Sequence, residues 1–256
     1  MRRFFGWTVL VATAVTAVAV CSADVRASVT GDTISIAFAR DEPAGTPGCA
    51  LAPTDVAGLN PSANWVNEVG NIGSDANLTR DTNGVAKATS ASLTWSSNNT
   101  WATEARGDNF FNLFLGADET LMMGYLDSAD NNGTSGVTWP SIQVTNLPAD
   151  MAAGYSVIIY TLSPAVGRNG DYFVNDPGQA NPKHVLVGGN TYYRHPYGGP
   201  NYVAAIGDDP DPVNSGLTND FGNCVIFTGL KGDLDIETMP RDLRVVINAI
   251  QIVKNP

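Results

Sequence analysis

Between Val137 and Ser163 the hydrophobic and polar positions alternate in two different ways. Ile142 and Val144 alternate with Ser141, Gln143 and Thr145, the period-two pattern of a strand with one buried and one wet face. From Tyr155 onward, Tyr155, Val157 and Ile159 fall on one face while Ile158, Tyr160 and Leu162 fall on the other. A strand that is apolar on both faces has to be covered on both, which predicts a central place in its sheet. The segment between them, Asn146-Leu147-Pro148-Ala149-Asp150, has turn composition, with a proline that fixes φ.

The same patterns recur along the chain. Ile34, Ile36 and Phe38 alternate with Thr33, Ser35 and Ala37 and predict the first strand. Residues 41–83 read as a long irregular segment, broken by Pro43, Pro47, Pro53 and Pro61 and by five glycines. Ala88 to Ser96 is a strand with Leu93 and Trp95 on one face, and Trp101 begins another short element. Residues 110–115 are too apolar for water and form either a short buried strand or one helical turn. Thr120 to Asp127 is the next strand candidate, ended by Asp130-Asn131-Asn132-Gly133. Tyr172 to Val174, His184 to Val187, Thr191 to Tyr193, Asn223 to Thr228 and Arg244 to Val253 complete the set. Gly232 to Glu237 alternates strictly and predicts a half-exposed strand. There is no internal repeat and no shift of composition. Roughly ten strands with hardly any helix predict one all-β domain over residues 28–256, an antiparallel β-sandwich of two sheets rather than an up-and-down barrel.

Composition adds a compartment. Only 15% of the 256 residues are charged and 43% are hydrophobic, so a sizeable core is expected and disorder is not. Met1-Arg2-Arg3 followed by the apolar run Phe4 to Cys21 has the form of a secretory signal, with small-residue cleavage sites after Ala23 and after Ala27. An uncleaved anchor is the alternative, weakened by the many Ala and Thr residues in the run. Lipidation at Cys21 is disfavoured by the bulk of Val20. The expectation is residues 1–27 as a signal peptide and a secreted product, extracellular or periplasmic, with no membrane association in the mature form. Cleavage after Ala27 removes Arg2, Arg3 and Arg26 against Asp24 alone, making the net charge of −11 more negative by two. Such a surface repels nucleic acid and anionic head groups. The mature chain keeps Cys49 and Cys224, which in an oxidising compartment can form one disulfide; two isolated buried thiols are the alternative.

Four segments, Ala52 to Trp65, Leu121 to Asp127, Val144 to Tyr160 and Ile247 to Val253, together resemble a β-sandwich module of secreted proteins from planctomycete-type bacteria. The closing Ile247-Asn248-Ala249-Ile250-Gln251-Ile252-Val253 is also similar to the last strand of galactose-binding-like jelly rolls. The resemblance implies a fold and assigns no activity. It implies an aromatic or aliphatic residue where Cys224 stands, so both cysteines look like additions to the pattern, which supports their pairing.

Catalytic chemistry finds little support. A hydrolytic triad needs a base beside a nucleophile, and only His184 and His195 are available, without a Gly-x-Ser-x-Gly elbow. Glu104, Glu119, Asp127 and Asp171 are conceivable glycosidase carboxylates that sequence cannot pair, and solvated surface acids explain them better. No cofactor is expected, and the scarcity of His excludes a clustered transition-metal motif. Structural Ca²⁺ needs only oxygens, and Asp127, Asp130 and Asn132 are its candidate ligands, although Trp139 stands where a Ca²⁺ loop requires Glu.

Thr191 to Tyr202 concentrates four tyrosines, Arg194 and His195 in a stretch that prolines and glycines keep out of regular structure. Tyrosine rings offer flat apolar faces with hydroxyl tips, which suit sugars. Tyr192, Tyr193, Arg194, His195, Tyr197 and Tyr202 are therefore the candidate ligand contacts, with strand-end packing as the competing explanation. Trp65, Trp95, Trp101 and Trp139 are assigned to the core. The functional expectation is a non-catalytic binding module for an extracellular glycan. The alternatives are a structural or adhesive surface protein and, more weakly, a glycan-active hydrolase or lyase.

Overall fold

The computed structural model describes residues 31–39, 49–102, 114–128, 138–163, 170–175, 183–187, 201–202, 204, 222–240 and 244–256. Strands β1 (Asp32–Ala39), β2 (Val66–Val69), β3 (Ile72–Ala76), β4 (Thr79–Thr82), β5 (Val85–Ala88), β6 (Ser92–Ser96) and β7 (Asn99–Ala102) precede helix α1 (Ala117–Leu121). β8 (Gly124–Asp127) and β9 (Ser141–Thr145) lead to helix α2 (Ala149–Ala152) and then to β10 (Tyr155–Tyr160). β11 (Gly170–Asn175), β12 (Lys183–Val187), β13 (Cys224–Leu230), β14 (Leu234–Pro240), β15 (Val246–Ile247) and β16 (Ala249–Lys254) follow.

The first sheet runs β13-β10-β16-β1-β4-β5, with β2 added in parallel to β1; the second runs β12-β11-β14-β9-β6-β3. A short third sheet, β15-β8-β7, lies beside them. The fold is an all-β, mainly antiparallel sandwich. β10 pairs on one side with β13 and on the other with β16, the internal position that its two-sided apolar pattern predicts. β9 is likewise internal, between β14 and β6, but in the opposite sheet. The turn-rich link between β9 and β10 therefore crosses the sandwich, and its second half coils into α2.

The core lies between the two large sheets. Ile34, Ile36 and Phe38 of β1 meet Val157 and Ile159 of β10 and Ile250 and Ile252 of β16 there, opposite Leu93, Ile142, Val144 and Ile236 of the second sheet. Arg80 of β4 ties α2 to the first sheet by ion pairs to Asp32 and Asp150, the latter also approached by Lys254 at 3.2 Å.

Three expectations need correction. Residues 66–83 hold β2, β3 and β4 where the sequence predicts irregular chain; their turns use Gly70, Asn77 and Asn83 at positive φ, so Gly70, taken as a break, is the corner between two short strands. The strand expected over Thr120 to Asp127 starts only at Gly124, because α1 carries the chain as far as Leu121 and buries that residue. Cys49 and Cys224 are not bridged to each other: both are buried, but Cys49 packs with Ala39 and Ala102, and Cys224 with Tyr160 and Leu162, in separate clusters. Burial pushes the Cys224 thiol up to about 12, the state of an inert core thiol. The expected signal peptide, residues 1–27, lies outside the described residues. Among the described residues no helix is long and apolar enough to cross a membrane.

Candidate binding face

The two sheets present very different outer faces. On the first, residues 57–65 lie flat against the strands and are held by side chains that alternation would place in water. Gln251 of β16 is fully buried; its amide donates to Asn60 O at 2.8 Å, Ser35 Oγ at 3.1 Å and Ser62 Oγ at 3.1 Å. Its carbonyl accepts from the Tyr160 hydroxyl, and that hydroxyl in turn accepts from Leu59 N at 2.7 Å. Burial without a counter-charge raises the Tyr160 pKa far above its usual range. Asp118 at the start of α1 accepts from Gly58 N at 2.8 Å and from the Tyr202 hydroxyl at 2.6 Å, so the helix is locked to the same loop.

Of the six candidate ligand contacts, Tyr202 alone lies inside the described residues. Its ring packs 4.7 Å from Phe114 and 5.2 Å from Tyr160, and burial raises its pKa strongly. That is the packing explanation set against the ligand explanation, and for Tyr202 packing is what the structure supplies. Tyr192, Tyr193, Arg194, His195 and Tyr197 lie outside the described residues.

The outer face of the second sheet is open. Period-two geometry turns Ser141, Gln143 and Thr145 of β9 outward while Ile142 and Val144 enter the core. Register then assembles rows: Ser96, Ser141, Glu237 and Phe173 stand side by side across β6, β9, β14 and β11, and Thr94, Gln143 and Asp235 form the next row. Two adjoining grooves lie along these rows. The larger, about 460 Å³, is lined by Trp139, Pro140, Phe173 and Met239 together with Ser141 and Glu237. The smaller, about 320 Å³, shares Ser141 and Glu237 and adds Thr94, Ser96, Gln143 and Asp235. With strands about 4.8 Å apart, the rows cross roughly 14 Å of surface. Ser96 and Ser141 hydroxyls bond each other at 2.8 Å, but the Gln143, Asp235 and Glu237 side chains make no hydrogen bond or ion pair with any described residue. No Lys, Arg or His is among the described residues lining either groove.

Trp139 is 40% exposed, unlike the buried Trp65 and Trp95, which corrects its assignment to the core. A signal for this was present in the sequence: Trp139 has the same parity as Ser141 and Gln143, the wet side of β9. Phe173 is half-buried and by the same rule faces away from Tyr172 and Val174.

Metal and acid–base candidates fare differently. Asp127 is fully buried and accepts from Arg244 Nη1 at 2.6 Å, so a guanidinium already holds the place a cation would take. Asp130 and Asn132 lie outside the described residues, and among those described no group of three or more His, Cys, Asp or Glu gathers. Asp171 is fully buried, and Glu104 is outside the described residues. One carboxyl contact was missed from the sequence. Glu68 of β2 is buried where it meets Asp75 of β3, and desolvation, reinforced by the Asp75 charge and hydrogen bond, raises its pKa to about 7. No protein-family model matches this chain, and no curated protein or solved structure shows significant similarity to it.

Proposed function

We propose that this chain is a non-catalytic binding module that holds a glycan on the outer face of the second sheet, and that its N-terminal leader delivers it outside the cytoplasm. The observation that supports this reading is the pair of adjoining grooves: exposed Trp139 and half-buried Phe173 line the larger together with Glu237, and the uncommitted side chains of Gln143 and Asp235 line the smaller, which shares Glu237. A sugar ring has an apolar C–H face and a rim of hydroxyls, so it needs a flat aromatic surface beside acceptors and donors that are not already engaged. The test is affinity electrophoresis through gels containing a panel of soluble polysaccharides, with wild type and Trp139→Ala side by side. Retardation by at least one polysaccharide, weakened several-fold by Trp139→Ala, is expected. No retardation by any of them, or retardation indifferent to Trp139, overturns the proposal.

A second reading, a structural or adhesive protein, is favoured by Val69 and Ile72. They are 52% and 69% exposed on the turn into β3, which is an edge strand of the second sheet. Light scattering over a concentration series tests it: self-association abolished by Ile72→Lys supports it, and a monomer at all concentrations removes it.

A further inference from the structure

We infer that the glycan this face prefers carries free amino groups, a polymer of 2-amino-2-deoxyhexose being held more tightly than its N-acetylated or uncharged counterpart. This rests on the glycan reading above and makes it more specific.

The inference starts from uncompensated charge. Several other carboxylates among the described residues have partners: Asp127 has Arg244, Asp32 and Asp150 share Arg80 and Lys254, Asp81 accepts from Ala63 N and Asn64, and Asp118 accepts from Gly58 N and Tyr202. Glu237, common to both grooves, and Asp235, in the smaller, have none among the described residues. They stand two residues apart on β14, so they face the same way about 7 Å from each other. The whole chain carries a formal charge of −11, so nothing in its overall field offsets them. A polyanionic glycan is repelled here, a neutral one is accepted, and a cationic one is attracted.

The position of Glu237 says how an ammonium would be received. Its register partners are Ser141 on one side and Phe173 on the other, and it is common to both grooves. An ammonium group at Glu237 therefore meets a carboxylate together with an aromatic ring, and the ring quadrupole adds to the attraction. Gln143 and Thr94 remain for the hydroxyl groups of the neighbouring sugar units. A free amine gains from this arrangement what an acetamide, being neutral, does not.

The experiment measures binding of glucosamine oligomers, N-acetylglucosamine oligomers of equal length and uncharged glucose oligomers in mildly acidic buffer, with polylysine as a competitor. The proteins are wild type, Trp139→Ala and the double variant Asp235→Asn/Glu237→Gln. The expected result is an advantage of about tenfold for the amino oligomer over the acetylated one, shrinking to about twofold in the double variant and in high salt. Trp139→Ala should weaken all the bound oligomers by a similar factor and leave the amino preference in place. Equal binding of amino and acetylated oligomers, with Trp139 still required, overturns this inference alone. Loss of every glycan interaction overturns it together with the reading it rests on. Displacement by polylysine as efficient as by the amino oligomer, with no effect of Trp139→Ala, means a cationic peptide surface and also overturns it.

Discussion

The outer faces of the two sheets begin from the same alternation and end as opposites. On β16, Gln251 sits among isoleucines where period two assigns a wet position, as Gln143 does on β9. Gln251 is fully buried, its amide and carbonyl engaged with Ser35, Asn60, Ser62 and Tyr160, while Gln143 stays exposed with no hydrogen bond. What separates them is whether another part of the chain brings partners. Residues 57–65 do so for the first sheet, so its polar side chains hold the fold together. Nothing among the described residues does so for the row through Gln143, Asp235 and Glu237, and their unspent hydrogen-bonding capacity faces outward. Saturation of polar groups distinguishes structure from recognition here better than polarity does.

The sharpest way to break this comparison is to truncate both glutamines. Gln251→Ala strands Ser35, Ser62 and the Asn60 carbonyl in a dry layer and opens a cavity, which should cost about 3–5 kcal/mol. Gln143→Ala should stay within about 0.5 kcal/mol of wild type, as an exposed substitution does. Urea unfolding of the two variants checks both figures. Equal effects would mean that the loop is not held by Gln251.

Gly58 probes the same layer through the backbone. Its φ is +94°, and a Cβ there would lie 2.5 Å from Gln251 Oε1. Gly58→Ala combines a disfavoured conformation with a clash and should cost about 2–3 kcal/mol, read as a lowered melting temperature. On the open sheet the corresponding constraint is Gly73, whose Cβ would meet the Trp95 ring at 2.2 Å. Gly73→Ala should displace that ring and so alter the floor of the smaller groove, measurable as a change in near-ultraviolet circular dichroism.

How much of this was legible in the sequence follows from the same contrast. Period-two patterns located β1, β9, β10, β14 and β16, because each long strand buries a face and must show it. β2, β3 and β4 have four or five residues each and little hydrophobic pattern of their own; pairing with β1 and β6 makes them strands, and pairing is not written locally. The burial of Ser35 and Gln251 was also illegible, since nothing in an alternating strand tells water from a covering loop. Trp139 was readable by parity, but a tryptophan beside a proline invites assignment to the core. Compositional reasoning about Thr191 to Tyr202 named Tyr202 as a ligand contact and did not foresee that its hydroxyl and ring meet Asp118, Phe114 and Tyr160.

The Glu68–Asp75 contact sharpens the comparison at the edge where the chain passes from the first sheet to the second. Glu68 has its pKa raised from 4.5 to about 7, so the folded state binds a proton that the unfolded chain has released over that interval. Stability from this group therefore falls as pH rises from about 4.5 to 7 and is flat above. The loss should be about 1–2 kcal/mol after allowing for screening by water at the sandwich edge. Asp150 works in the opposite sense: the Arg80 hydrogen bond holds it well below the carboxylate range, so its contribution is lost as pH falls through acid values. Melting temperature against pH should decline towards neutrality in wild type, and Glu68→Gln should flatten that decline. An unchanged slope in Glu68→Gln would show that the carboxyl contact does not carry it.

A modest effect on stability is expected at the residue on which the functional reading depends most. Trp139 precedes β9 and is 40% exposed, so its ring buries less area than a core aromatic does. Trp139→Ala should therefore cost about 1–2 kcal/mol. Tyr160→Ala on the covered face provides the contrast: it removes a fully buried ring and the hydroxyl that Leu59 N and Gln251 use. Loss of a buried aromatic costs about 3–5 kcal/mol. Measured together, the pair should dissociate stability from binding: Trp139→Ala lowers the melting temperature only modestly and loses glycan retention, whereas Tyr160→Ala lowers the melting temperature far more. If Trp139→Ala instead destabilises as much as Tyr160→Ala, the indole is part of the packing, and the second sheet has no face reserved for a ligand at that end.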